Sequence, residues 1–471
     1  MGCTTQCVLI AGAVVGGLLA ILGGILIPVG NIVIENKIKQ ETVIEEGTIA
    51  YESWVTTPSP VYRQFWLFHV INPQDVIDYG AKPELIQKGP YTYRVRYLSK
   101  ENITKGENHT VSFLQPNSAV FQRDMSVGSE DDTVIALNLA VAAAPAILPP
   151  LIWPALNTLI KKTNSSLFQN RTVKELIWGY TDPLLTELNF KPLGTETGVF
   201  YPYNDTAEGV FTIFTGKDDI SKTAIIKDYK GAENLTYWKG DCSKINGTDA
   251  ASFPPFVDKN TNLALFNSEI CRSFHTKFES EQNVKGIPVY RFVIPESAFA
   301  SSVVNPDNWC FCTENIVSRN CTEGGLLDIS ACKNKKPVYV SLPHFLYVSE
   351  NIRSRVTGLK PNEEEHRIYV DVEPNTGFTM RFAKRIQINL MFKPTDKIEV
   401  FSKLKDILVF PVLWLNETGT IDDGTAEKFK ATVTTPMNIL MVVEVVLLCL
   451  GIVSFLACSI TLCIRSSRKS K

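Results

Sequence analysis

Residues 133–160 read TVIALNLAVAAAPAILPPLIWPALNTLI, a stretch without one formally charged side chain. It is longer than the roughly 20 apolar residues that a helix needs to cross a bilayer core, so it competes for the role of a membrane span. Two features decide against that role. Pro145, Pro149, Pro150 and Pro154 interrupt it, and each removes a backbone donor. A span here would also put Asn102 and Asn108 on the opposite side of a membrane from Asn164 and all that follows, although Asn-x-Ser/Thr sequons occur on both flanks. The stretch is therefore expected to be a buried or surface apolar helix of an external domain. A further short helix is expected from Thr172 to Trp178, which makes 133–178 a helical region.

Outward from this stretch, the two ends of the chain carry the real spans. Residues 1–34 hold no charged side chain, and 439–464 hold only Glu444. Val8 to Gly30 and Ile439 to Ile464 are each long enough to cross. A cleaved signal peptide has a basic start and a short apolar core. This chain starts Met-Gly-Cys-Thr-Thr-Gln-Cys, so the first run reads as an uncleaved anchor. Arg465, Arg468, Lys469 and Lys471 follow the second span, which sets the C-terminus in the cytoplasm. With two spans the N-terminus is cytoplasmic too. The expected organisation is a tail at 1–7, a span at 8–30, a glycosylated ectodomain at 31–438, a span at 439–464 and a tail at 465–471. Gly12, Gly16, Ala20 and Gly24 form a small-residue face, suited to close packing against the second span or another copy. Glu444, near the outer end of its span, is expected to snorkel to the interface.

Composition narrows the function classes. With 47 basic and 49 acidic residues the net charge is −2, which gives no basic field for a nucleic-acid partner. An overall 45% of hydrophobic residues excludes a disordered chain, a collagen and a many-helix transporter. The five histidines form no HExxH, and neither GxSxG nor GxxxxGK[ST] occurs, so the chain is not read as an enzyme. Glu363-Glu364-Glu365-His366 reads as a solvated acidic turn without the spacing of a metal site, and no metal or cofactor is expected.

Cysteines and sequons fix the compartment. Cys242, Cys271, Cys310, Cys312, Cys321 and Cys332 lie in the middle of the chain, an even number suited to three disulfides in an oxidising lumen. Spacing alone leaves all pairings open, and the CxC at Cys310–Cys312 does not suit zinc. Cys3, Cys7 and Cys463 flank the spans on the cytoplasmic side, where S-acylation occurs, while Gln6 breaks the myristoylation motif. Sequons stand at Asn102, Asn108, Asn164, Asn170, Asn204, Asn234, Asn246, Asn320 and Asn416, all between the spans.

The ectodomain itself reads as α+β. Lys37 to Tyr51 suggests an amphipathic lead-in helix followed by a turn. Tyr91 to Tyr97 alternates as a strand, and so do Pro288 to Pro295, Val338 to Leu342, Arg367 to Val372 and Arg385 to Leu390. Turn signals every 8–12 residues suit a barrel or a sandwich. The expectation is an antiparallel β core capped by the helical region.

At these residues the chain resembles the class B scavenger receptors. The resemblance rests on YRQFW at 62–66, KGPYTYRVR at 88–96, VSFLQPN at 111–117, LNLAVAAA at 137–144 and FYPYN at 200–204. It continues through NGTDAASFPPF at 246–256, LPHFLY at 342–347, PNEEEHR at 361–367 and LWLNETG at 413–419. It implies an antiparallel β-barrel ectodomain with an apical helical bundle and an internal lipid tunnel, tethered by two transmembrane helices. It implies the pairs Cys242–Cys310, Cys271–Cys332 and Cys312–Cys321, and palmitoylation of Cys3, Cys7 and Cys463. The family's second acylated C-terminal cysteine falls at Arg465 and is missing. The short tail lacks the sorting signal of the family's lysosomal member and the length of its high-density-lipoprotein receptor.

The implied function is that of a plasma-membrane receptor, found also in lipid rafts and, in transit, in Golgi and endosomes. It binds long-chain fatty acids, oxidised lipoproteins and anionic phospholipids and mediates lipid uptake. Thrombospondin-type proteins are further implied ligands, tied to residues 92–119, and signalling goes through co-receptors and cytoplasmic kinases. Alternatives are a receptor primarily for adhesion and signalling, or one for selective uptake of cholesterol ester. Leu151, Trp153 and Leu156, with Leu137, Leu139, Ile147 and Leu148, supply apolar surface for a lipid. Lys161 and Lys162 follow, where they suit a ligand carboxylate or the helix dipole. The resemblance favours the ligand for Lys162. The family's second apical lysine falls near Asn164, which begins a sequon here, and Lys161 is the candidate for that second charge.

Overall fold

The computed structural model describes residues 2–313 and 321–469. They form two compact units, one of residues 43–421 and one of the chain's two ends.

The terminal unit is a pair of long helices, Gly2–Thr42 and Thr435–Lys469. Glycines let the two backbones approach. A Cβ on Gly12 would stand 2.7 Å from Cys458 Sγ, one on Gly16 would stand 2.5 Å from Phe455 N, and one on Gly23 would stand 2.6 Å from Leu448 N. Gly24 has open space around it, so the expected i, i+4 stripe does not continue. The contact face shifts to Gly23 and Gly30 because 3.6 residues per turn drift away from a strict spacing of four. Glu444 does not extend outward as expected. Its side chain is buried, because Gly30 leaves the room for it, and its Oε1 has no hydrogen-bond partner.

The larger unit is built on a ten-stranded sheet. Its main path runs Lys277–Val284, Ile287–Val293, Tyr369–Val372, Thr379–Phe392, Leu408–Thr420, Val61–Val70, Leu85–Val95, Ala119–Phe121, with every pairing antiparallel. Leu327–Asp328 and Val338–Ser341 attach to the side of Thr379–Phe392. The barrel expectation is corrected here: among the described residues the two outer strands pair with one neighbour each, and the sheet stays open. One edge strand exposes Lys277 and Glu281, and the other is three residues long, both common ways of blunting an edge.

The sheet is covered on both faces. In Leu408–Thr420, Phe410, Val412 and Trp414 belong to one apolar cluster, while Leu413 and Leu415 belong to another. That explains why LVFPVLWL is continuously apolar instead of alternating. The helical stretch covers the first of these faces. Asn138 caps the helix Leu139–Ile147 by accepting from Ala140 N and Val141 N, and after Pro149 and Pro150 a second helix runs Trp153–Lys162. The stretch is not helical from its start, however. Residues 133–137 form a strand paired with Phe168–Thr172, a partner beyond the reach of local periodicity. Thr172 and Glu175 then close a capping box on the short helix Val173–Trp178. The lead-in helix also differs from expectation: the first helix ends at Thr42, a turn follows, and a separate helix runs Ile49–Val55. A second sheet of four strands includes Glu101–Gly106 as an edge and Thr110–Asn117 beside it. Disulfides join Cys242–Cys310, Cys271–Cys332 and Cys312–Cys321.

Candidate functional site

A cavity of about 930 Å³ opens between the helix Leu139–Ile147 and the sheet. Ala140, Ala143 and Ala144 form its helical wall, and Val340, Ile386 and Ile388 lie on the sheet side. The alanines create the space, because side chains this short cannot reach the strands opposite. The cavity has a polar end as well, lined by Glu208, Ser268 and Glu269 and by Lys230, Lys333 and Lys336. Lys230 and Lys336 are exposed, so this end reaches the surface.

Behind the polar end lies a buried ion network. Arg63 is fully buried on Val61–Val70, and its Nε donates to Glu417 Oε2 at 2.7 Å. Its Nη2 bonds both Glu417 and Glu269. Arg96 Nε reaches Glu417 Oε1 at 2.9 Å, and Lys384 Nζ lies 2.6 Å from Glu269 and 3.3 Å from Glu417. Burial raises the Glu417 carboxyl, but Arg63, Lys384 and Arg96 outweigh it and hold it well below the usual carboxylate range. The Arg63 guanidinium stacks on Phe200 and Tyr203, two cavity-lining rings. The network thus joins the strands Val61–Val70, Thr379–Phe392 and Leu408–Thr420, and Glu269 belongs both to it and to the cavity lining.

The residues singled out from the sequence sit elsewhere. Leu151 is 90% exposed, whereas Trp153 and Leu156 are buried in the core beneath the helices. Trp153 Nε1 donates to Leu148 O at 3.1 Å. Lys161 and Lys162 are exposed, each with a carboxylate partner: Lys161 Nζ is 2.5 Å from Glu399 and Lys162 Nζ is 2.6 Å from Glu187. None of the five lines the cavity, though Leu139 and Ile147 of the same stretch do. The alanine run was the signal for the cavity, since it leaves a helix face without bulk over a β-branched sheet. The acidic turn at 363–366 is exposed at its glutamates, while His366 is buried and stacks on His344 with ring centroids 4.8 Å apart. Asn102, Asn108, Asn164, Asn170, Asn204 and Asn234 are exposed, Asn246 and Asn416 half-buried, and Asn320 lies outside the described residues. Cys7 and Cys463 are exposed free thiols, and Cys3 lies in the first helix.

A profile of the CD36 family matches residues 14–462. Lysosome membrane protein 2 of Mus musculus is 37% identical over 86% of this chain and 84% of its own length. The Rattus norvegicus protein of that name is 35% identical over 89% and 87%. Scavenger receptor class B member 1 of Bos taurus is 32% identical over 94% of this chain and 87% of its own. The two long terminal helices agree with these relatives in marking a two-pass membrane protein. The breadth of the match, from one span to the other, makes this chain a member of the CD36 family, the class B scavenger receptors, and a receptor, not an enzyme.

Proposed function

We propose that this protein is a plasma-membrane receptor that binds long-chain fatty acids and oxidised lipoproteins and mediates lipid uptake. The observation that carries the reading is the cavity, whose volume of about 930 Å³ lies near the top of the range for small-molecule sites. Its wall of alanine, valine and isoleucine suits an acyl chain, and it serves as the lipid tunnel in this reading. Leu151 is exposed before the helix Trp153–Lys162, and Lys161 and Lys162 are exposed in its last turn, so the helix offers apolar and cationic groups to particles that are both apolar and anionic, such as oxidised lipoproteins and anionic phospholipids. Both termini face the cytoplasm in this reading. Palmitoyl groups on Cys3, Cys7 and Cys463 and glycans on the sequons fit a receptor of the cell surface, its rafts and its transit through Golgi and endosomes. Adhesion to thrombospondin-type proteins is a second reading, supported by the exposed edge strand Glu101–Gly106 within the segment 92–119.

The test is photolabelling of the full-length receptor in cell membranes with a diazirine analogue of palmitate. Labelling is expected on peptides of the cavity wall, and Ala143→Trp, which fills the cavity, is expected to abolish it at equal surface expression. Undiminished labelling of Ala143→Trp refutes the cavity as the lipid site.

A further inference from the structure

We infer that Lys333 anchors the carboxylate of a single-chain lipid at the polar end of the cavity. The inference rests on the cavity being the lipid site and adds to it the headgroup and the residue that recognises it. Lys333 follows Cys332 directly, and the bond from Cys332 to Cys271 ties its backbone to the cavity wall. The Lys333 N–H bonds to Ile329 O at 3.2 Å, so the side chain starts from a fixed point.

Counter-ions separate this lysine from Lys161, Lys162 and Lys384, and burial separates it from Lys230 and Lys336, which line the same end but are exposed. Lys161, Lys162 and Lys384 each hold a carboxylate within 2.6 Å. Among the described residues, Lys333 has no ion pair. Burial pushes its ammonium down from the usual range. Glu269 and Glu208 pull it up without restoring it, and Lys230 and Lys336 push it down again. Lys230, Lys333 and Lys336 share this end with the two carboxylates, and Glu269 is already bonded by Arg63 and Lys384, so an anion placed beside the half-buried Lys333 relieves both its desolvation and the remaining repulsion.

Chemistry narrows the anion. The other wall of the cavity is apolar, which selects a head joined to a hydrocarbon chain. Glu208 and Glu269 line the same polar end, so a doubly charged phosphate monoester meets more repulsion than a singly charged carboxylate. A sterol or an alcohol offers the cation a neutral hydroxyl, a weaker acceptor than a carboxylate.

The experiment measures competition against the diazirine palmitate on full-length receptor in cell membranes, with oleate, oleyl alcohol and lysophosphatidate as competitors. In the wild type, oleate is expected to compete about tenfold better than oleyl alcohol, the fold-change for one charge-assisted hydrogen bond. Lys333→Gln is expected to erase that preference while oleyl alcohol competes as before, and Lys333→Arg is expected to keep it. A preference that survives in Lys333→Gln overturns the assignment, and so does lysophosphatidate competing better than oleate. Loss of the cavity reading has a different signature, namely photolabel retained in Ala143→Trp.

Discussion

Glu417→Gln probes the joint on which the large sheet and the cavity wall depend. Glu417 sits on Leu408–Thr420, is 2% exposed, and faces Arg63, Arg96 and Lys384. The substitution keeps the size and the Asn416–Thr418 sequon but removes the charge. Glu269 is then the one carboxylate left to Arg63 and Lys384 in this network. Breaking a buried pair in this way costs about 3–5 kcal/mol, because Arg63 is fully buried and cannot turn to water. At about 2 °C per kcal/mol for a large domain, the melting temperature should fall by about 6–10 °C. The assay is thermal unfolding of the full-length receptor in mild detergent at neutral pH, with surface delivery as a cellular companion. Replacing the pair together, Arg63→Met with Glu417→Leu, should recover part of the loss, since an apolar pair carries no desolvation cost. If Glu417→Gln melts within about 1 °C of the wild type, the network does not hold the sheet and the reasoning fails. The sign with pH follows from the same contacts. A carboxyl held below its ordinary value contributes stability above that value and loses it only as pH falls through the depressed one, so this joint should survive mildly acidic compartments.

The histidine pair should lose its contribution at a higher pH. Burial, then Lys360, lowers His344 to about 4, and burial, then His344 and Arg385, lowers His366 to about 4. Since the unfolded chain takes up protons first, stability should fall with pH from about 6.5 towards 4, by the order of 2 kcal/mol per ring at pH 5. His366→Gln should show a shallower loss of melting temperature over that range, and an unchanged slope would exclude the pair as its source. In the last turn of Trp153–Lys162, Lys161→Ala with Lys162→Ala should weaken capture of oxidised lipoprotein at equal surface expression, and equal capture removes those lysines from the reading. Glu187→Gln with Glu399→Gln should strengthen capture modestly, because exposed ion pairs are worth no more than about 1 kcal/mol.

What was legible in the sequence was local or set by strong physical constraint. The two spans follow from the absence of charge, and the helix Val173–Trp178 announces itself through Thr172 and Glu175. Strands such as Thr379–Phe392 show in their alternation. What was hidden depends on partners distant in the chain. Thr133–Leu137 looks like the start of a helix until Phe168–Thr172 pairs with it. Closure of the sheet was a property of the fold as a whole, and no pattern within a strand states which edge meets which. Glu444 was weighed by its distance from the interface alone, whereas Gly30 decides its place from the opposite helix.

The lysines show how the same limit bears on function. Lys161 and Lys162 drew attention because they adjoin the longest uncharged run, and adjacency along the chain is all that a sequence displays. In the folded protein that run divides, Leu139 to Ile147 facing the cavity while Trp153 and Leu156 turn into the core. The cations that meet the cavity come from the loops around Lys230, Lys333 and Lys336, far from the run in sequence. Glu187 and Glu399, equally distant in sequence, neutralise the pair that adjoins it. A charge becomes available to a ligand when the fold withholds its counter-ion, and that condition separates Lys333 from Lys161 and Lys162 although all three are the same residue.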